Sequence, residues 1–134
     1  MRTWRRWVVL AGLTSVLACR TDPADDAAAR RCVDLLTRGD PAGAEFLEPN
    51  SVLARVGWDS LARRMRRTLP QGTTDSLLLR VTEEGRDSSG RYRKLTYWLF
   101  RSDTLAQVSV WLVNSDGRLF VSTVKVGPPT ADGT

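Results

Sequence analysis

Histidine is absent from all 134 residues of this chain. That removes the commonest general base near neutral pH, every Ser-His or Cys-His nucleophile pair and all histidine metal sites. Cysteine is scarce, with only Cys19 and Cys32 present, and a lone Cys32 makes no zinc site. No glycine-rich phosphate loop occurs, and no internal repeat is visible. Lysine is nearly missing as well: Lys94 and Lys125 stand against 18 arginines, a ratio that a GC-rich genome explains as readily as a function does. Long apolar runs are also lacking. A spanning helix needs roughly 20 apolar residues, whereas the longest uncharged stretch, Trp7 to Cys19, has thirteen.

That short stretch carries the most information. Arg2, Arg5 and Arg6 precede it, no acid appears before Asp22, and it closes on Val16-Leu17-Ala18-Cys19. The layout is that of a secretory signal peptide with a cysteine where the mature chain begins. It resembles a bacterial lipoprotein signal. That resemblance implies removal of residues 1–18, acylation of the Cys19 thiol (palmitate is the usual label) and anchorage in a membrane of the cell envelope. An ordinary cleaved signal is the alternative. An amphipathic anchor does not fit, because the run is apolar all round. Arg5-Arg6 is poorly matched to a twin-arginine signal, since Trp7, Val8 and Val9 depart from that pattern. Arg20 directly follows the cysteine, where the aspartate that often retains such proteins in the inner membrane would stand. By the same resemblance, the outer membrane facing the periplasm is the expected site.

Processing changes the charge. The whole chain has 20 basic and 15 acidic residues; three of the basic ones lie in the leader, so 17 against 15 remain and the net charge falls to +2. Nucleic-acid binding, which calls for a clustered basic footprint, is not expected. Arg63, Arg64, Arg66 and Arg67 are the dense cluster, and their spacing spreads them over a broad solvated helix side; docking on anionic lipid is the other reading. If Cys19 carries lipid, Cys32 has no disulfide partner within the chain.

Residues 19–26 read as a short lipidated tether, 27–126 as one domain and 127–134 as a flexible Pro/Gly-rich tail. One domain is what about 115 mature residues support. Ala28, Ala29, Cys32, Val33, Leu35 and Leu36 form one stripe of a helix from Ala24 to Arg38, which makes Cys32 a buried apolar residue. Gly39 stops that helix. Asp40-Pro41 starts a second, short one through about Leu47. A third runs from Asp59 to Thr68, capped by Asp59 or Ser60, with Leu61, Met65 and Leu69 inward.

The pattern then switches to period two, in strands Ser76–Thr82, Tyr92–Arg101, Leu105–Asn114 and Leu119–Val126. A two-residue turn at Ser102-Asp103 sets Leu99 opposite Ala106 and Tyr97 opposite Val108. A three-residue turn ending at Gly117 sets Leu112 opposite Phe120, Val110 opposite Ser122 and Val108 opposite Val124. One face, Leu95, Tyr97, Leu99, Val108, Val110, Leu112, Phe120 and Val124, is expected against the helices. The other carries Trp98, Phe100, Leu105 and Trp111 among Thr96, Gln107, Ser109 and Thr123. It either packs internally or covers a partner.

The expected fold class is therefore α+β, with N-terminal helices on a curved four-stranded antiparallel meander. This order, with Ala27–Arg38, Gly39-Asp40 and Ala42–Leu47 as an opening helical hairpin, resembles the nuclear-transport-factor-like (cystatin-like) α+β cone. The resemblance implies a cone whose interior, lined by Trp58, Tyr97 and Leu99, can hold a small apolar ligand. Members without histidine pair an aspartate base with a tyrosine donor; Tyr97 with Asp34 or Asp59 is the corresponding trio. Asp34 falls on a polar helix side and Asp59 reads as a cap, so no catalysis is expected. No cofactor or metal is expected either. The sequence thus points to a non-catalytic lipoprotein that binds a partner or forms a homodimer through Trp98, Phe100 and Trp111. A carrier using the cone interior is the alternative.

Overall fold

The computed structural model describes residues 21–69, 74–88, 90–101 and 104–130. Cys19, the leader and the Ser102-Asp103 turn lie outside them. The described chain forms helix α1 (Pro23–Arg38), a 3-10 turn (Pro41–Phe46), α2 (Val52–Val56) and α3 (Trp58–Thr68). Strands β1 (Thr74–Asp87), β2 (Gly90–Arg101), β3 (Thr104–Ser115) and β4 (Arg118–Gly127) follow. The strands make one antiparallel sheet in the order β1-β2-β3-β4. The fold is α+β, as the change of period from helical to alternating anticipates.

Helix α1 starts at Pro23, one residue before the expected Ala24. Asp22 caps it by accepting from the Ala24 amide at 2.8 Å, and Pro23 fills the first turn, where a missing N–H costs nothing. Pro23 to Asp26, read above as tether, therefore belong to the domain. Its end is as expected: Gly39 takes φ 64°, and the amides of Gly39 and Asp40 reach the carbonyls of Leu36 and Leu35 at 3.1 and 2.9 Å. This Schellman arrangement closes the orphan carbonyls of the last turn. Asp40 then caps the 3-10 turn through the Ala42 amide. Helix α2 has no counterpart in the sequence reading. Helix α3 has no side-chain cap; Gly57, at φ 89°, precedes it, and Asp59 lies inside its first turn.

The β2–β3 register is the expected one, with Leu95, Tyr97 and Leu99 opposite Val110, Val108 and Ala106. The β3–β4 register is not. Asp116 and Gly117 both adopt positive φ, 51° and 75°, which makes a two-residue turn of the type that matches strand twist. Ser115 then pairs with Arg118 and Leu112 with Val121, and Ser122 is left over as a bulge before Val110 meets Val124. Moving the register by one residue exchanges the faces. Phe120 therefore leaves the helix side and Val121, with no exposed surface, replaces it.

All core contacts lie on one side of the sheet. Ala29, Cys32, Val33, Leu35 and Leu36 of α1, Trp58, Leu61, Ala62 and Met65 of α3, and Leu69 pack on Leu95, Tyr97, Leu99, Val108, Val110, Leu112 and Val121. Each fully buried Leu or Val contributes about 1.5–3 kcal/mol relative to exposure. Trp58 lies flat against Gly43, where a Cβ would come within 1.6 Å of the indole, and its Nε1 donates to the Asp40 carbonyl at 2.7 Å. The core cluster spans Ala29 to Val126, so a chain lacking residues 1–18 keeps it whole. Among the described residues no helix is long and apolar enough to cross a membrane. Part of the supposed tail is also held: the Thr130 amide and hydroxyl both reach Gln107 Oε1, at 3.0 and 3.2 Å.

Candidate functional site

The first turn of α1 is fixed to the sheet by consecutive aspartates. Asp25, 4% exposed, takes a bidentate fork from Arg93, Nε to Oδ2 at 2.6 Å and Nη2 to Oδ1 at 2.9 Å. The hydrogen bond to Asp25 holds the Arg93 proton more tightly still, against the opposing effect of burial. Asp26 accepts from the Tyr97 hydroxyl at 2.7 Å and from Arg30 Nε at 3.0 Å. Arg30 also lies 5.3 Å from the Tyr97 ring centre and donates to the Leu77 carbonyl at 2.7 Å. Burial, then the bond to Asp26, pushes the Tyr97 hydroxyl far above its usual range, with Arg30 opposing.

A tyrosine and an aspartate do meet, therefore, but the aspartate is Asp26 and not Asp34 or Asp59. Asp34 pairs in solvent with Arg38 at 2.7 Å, and Asp59 is exposed on α3. Tyr97 has no exposed surface, so its hydroxyl meets no substrate in this packing. The pocket residues fare similarly. Tyr97 and Leu99 are 0% exposed and Trp58 is 5% exposed, all within the packed core. Tyr97 and Leu99, with no accessible surface, line no open cavity, whereas the edge of Trp58 borders a surface opening of about 480 Å³ with Pro41, Val56, Gly57 and Arg63. Cys32 is likewise buried, and burial pushes its thiol up to about 12.

The openings that the structure does show lie at the surface. A polar cleft of about 270 Å³ beside the start of α1 is lined by Asp22, Asp25, Glu84, Arg93 and Asn114. A groove of about 290 Å³ between α3 and β4 is lined by Leu61, Met65, Val124 and Val126, with Arg64 and Lys125 at its sides. No group of three potential ligands that could hold a metal occurs among the described residues. Arg63, Arg64, Arg66 and Arg67 are all exposed on α3.

The candidate site is the sheet face opposite the helices. Trp98, Phe100, Leu105 and Trp111 lie there as expected, joined by Phe120 and by Leu78, which is 48% exposed. Between the tryptophans, Thr96 and Ser109 share a hydrogen bond of 3.0 Å and are buried to 0% and 5% exposure by their larger neighbours. Cations stand over the rings: Arg80 at 4.0 Å from Trp98, Lys94 and Lys125 at 4.9 and 5.5 Å from Trp111, and Arg118 at 5.2 Å from Phe120. Such contacts are each worth about 0.5–1 kcal/mol at exposed sites. The face is thus partly covered by its own side chains and partly open.

The sequence reading named the aromatic residues and missed the cations. Lys94 was within reach, because the β2–β3 register sets it opposite Trp111. Arg80 was not, because it occupies the bulge between Leu79 and Val81 on β1, which breaks the alternation. Compared with protein-family models, characterised proteins and solved structures, the chain matches none.

Proposed function

We propose that this chain is a lipoprotein of the cell envelope. Residues 1–18 are removed and Cys19 carries the lipid. The α+β domain, taken as a cone of the nuclear-transport-factor-like kind, binds a partner or a second copy through its helix-free sheet face, without catalysis. The observation that carries this reading is the order of the chain: a positive start, twelve uncharged residues ending in the small Ala18, and then Cys19. The folded part begins almost at once. Only four peptide steps separate Cys19 from the start of α1 at Pro23, which span about 13 Å at ~3.3 Å each. A domain on so short a leash stays at the membrane surface, and Arg20 favours the outer membrane, facing the periplasm. Aromatic side chains on a sheet face that none of the described helices covers support docking over a purely structural role.

The test is metabolic labelling in the host. Labelled palmitate is expected in the full-length product, and Cys19→Ser is expected to abolish both label and cleavage. A Cys19→Ser chain that matures normally overturns the anchor.

A further inference from the structure

We propose that the helix-free sheet face docks an acidic protein segment, with carboxylates meeting Lys94, Lys125 and Arg80 while apolar side chains cover Trp111 and Trp98. The proposal rests on the docking role given to this face above, and not on the lipid anchor.

Charge selects the partner. Four cations, Arg80, Lys94, Lys125 and Arg118, stand over the aromatic rings of this face. Among the described residues, the carboxylates beside them are Glu83, 3.8 Å from Lys94 Nζ, and Asp87 at the hairpin tip. A two-fold contact between copies sets a patch against itself, bringing the lysines of one copy towards those of the other. Juxtaposed like charges disfavour that arrangement. A carboxylate-bearing partner gains where a second copy loses.

The residue types point the same way. The chain has two lysines among 20 basic residues, and both flank Trp111, one on β2 and one on β4. The Arg80 guanidinium lies close over Trp98, 4.0 Å from the ring centre, as arginine readily does on an aromatic face. The lysine ammonium groups stand off at 4.9 and 5.5 Å, which leaves the ring face usable. Under Arg80, Trp98 Nε1 is buried with no hydrogen-bond partner among the described residues. An orphan donor of this kind costs free energy until an acceptor arrives; a carboxylate that draws Arg80 aside supplies one. Edge pairing is the less suitable mode, because the bulge at Arg80 bends the outer strand away from a regular ladder.

The experiment titrates the chain from residue 19 onward, carrying Cys19→Ser, with poly-L-glutamate while tryptophan emission and salt dependence are followed. Saturable binding that weakens with salt is expected. Lys94→Gln/Lys125→Gln should bind at least tenfold more weakly with an unchanged unfolding midpoint. Lys94→Arg/Lys125→Arg should stay within about threefold, and Arg63→Gln/Arg64→Gln should bind as the parent does. Absence of binding, or binding carried by Arg63 and Arg64, overturns the proposal. So does preferred binding of phosphatidylglycerol vesicles through the same lysines, which reassigns the face to lipid. Sedimentation showing a dimer that protects Trp111 from quenching reassigns it to a second copy. Palmitate labelling reports separately on the anchor.

Discussion

Replacing Arg93 by leucine removes the fork that holds the first turn of α1 on the sheet, and the structure sets the expected cost. Breaking a buried ion pair by deleting one partner typically costs about 3–5 kcal/mol, because the other charge is left desolvated. Two features reduce that here. The Arg93 side chain is 21% exposed, so water reaches one side of the pair. Asp25 also lies in the first turn of α1, where the helix N-terminus favours a negative charge by about 0.3–1 kcal/mol. A loss of about 2–3 kcal/mol follows, which for a domain of this size lowers the unfolding temperature by roughly 10 °C. Urea unfolding followed by tryptophan emission and helix signal measures it; the midpoint should fall by about 2 M with the slope unchanged. Asp25→Leu/Arg93→Leu removes both charges and should recover more than half of the loss. The reasoning fails if Arg93→Leu costs less than about 0.5 kcal/mol, or if the two single losses simply add in the double variant.

Tyr97→Phe deletes the donor to Asp26 while Arg30 stays, so a loss of about 1–2 kcal/mol is expected at neutral pH. Because the fold raises the Tyr97 pKa, its contribution is whole below about pH 10 and disappears as pH climbs further. Tyr97→Phe should therefore show a shallower alkaline decline than the parent, and parallel curves would falsify the assignment. The same sign holds for Cys32, whose thiol moves from 9.0 to about 12. Its contribution to stability declines from pH 9 upward, as the unfolded thiol ionises while the folded one keeps its proton, at up to roughly tenfold in folding constant per pH unit. Cys32→Ala should flatten that part of the profile, and the native thiol should resist a disulfide reagent at pH 8 until urea unfolds the chain; prompt native labelling contradicts a buried thiol. Gly43→Ala drives a methyl group into the Trp58 ring and should cost about 3 kcal/mol or more, with partial rescue by Trp58→Leu. An unchanged melting temperature would show that the 3-10 turn does not press on the indole.

The sequence was most legible where one period dominates. The α1 stripe through Cys32 and the strict alternation of β2 and β3 by themselves place most of the core. It failed where a single residue decides. Asp116 accepting positive φ, rather than Gly117 alone, shortened the last turn by one residue and exchanged Phe120 for Val121. Nothing in the local pattern separates the two turn types, since Asn-Ser-Asp-Gly suits both. The site divided the same way. Trp98 and Trp111 were visible through their parity, whereas the partners of Tyr97 depended on tertiary placement. Asp26 looked like linker, so the carboxylates examined for Tyr97 were on the wrong turns.

If the proposed lipid anchor holds, the position of the helix start sets how close the domain lies to the membrane. Read as tether, residues 19–26 reach about 23 Å between Cys19 and Asp26 at ~3.3 Å per step. With Pro23 already helical, the stretch from Cys19 to the helix spans at most about 13 Å. The difference is set by Asp25 and Asp26, whose bonds to Arg93 and Tyr97 keep the first turn closed. If Cys19 carries lipid, pull on the anchor enters the fold at that turn, where side-chain bonds between α1 and β2 supplement apolar packing. Arg93→Leu would then weaken the domain at the point that fixes its height above the bilayer. Loss of stability and gain of reach would then come from one substitution, because the Asp25–Arg93 fork holds the first turn of α1 on the sheet.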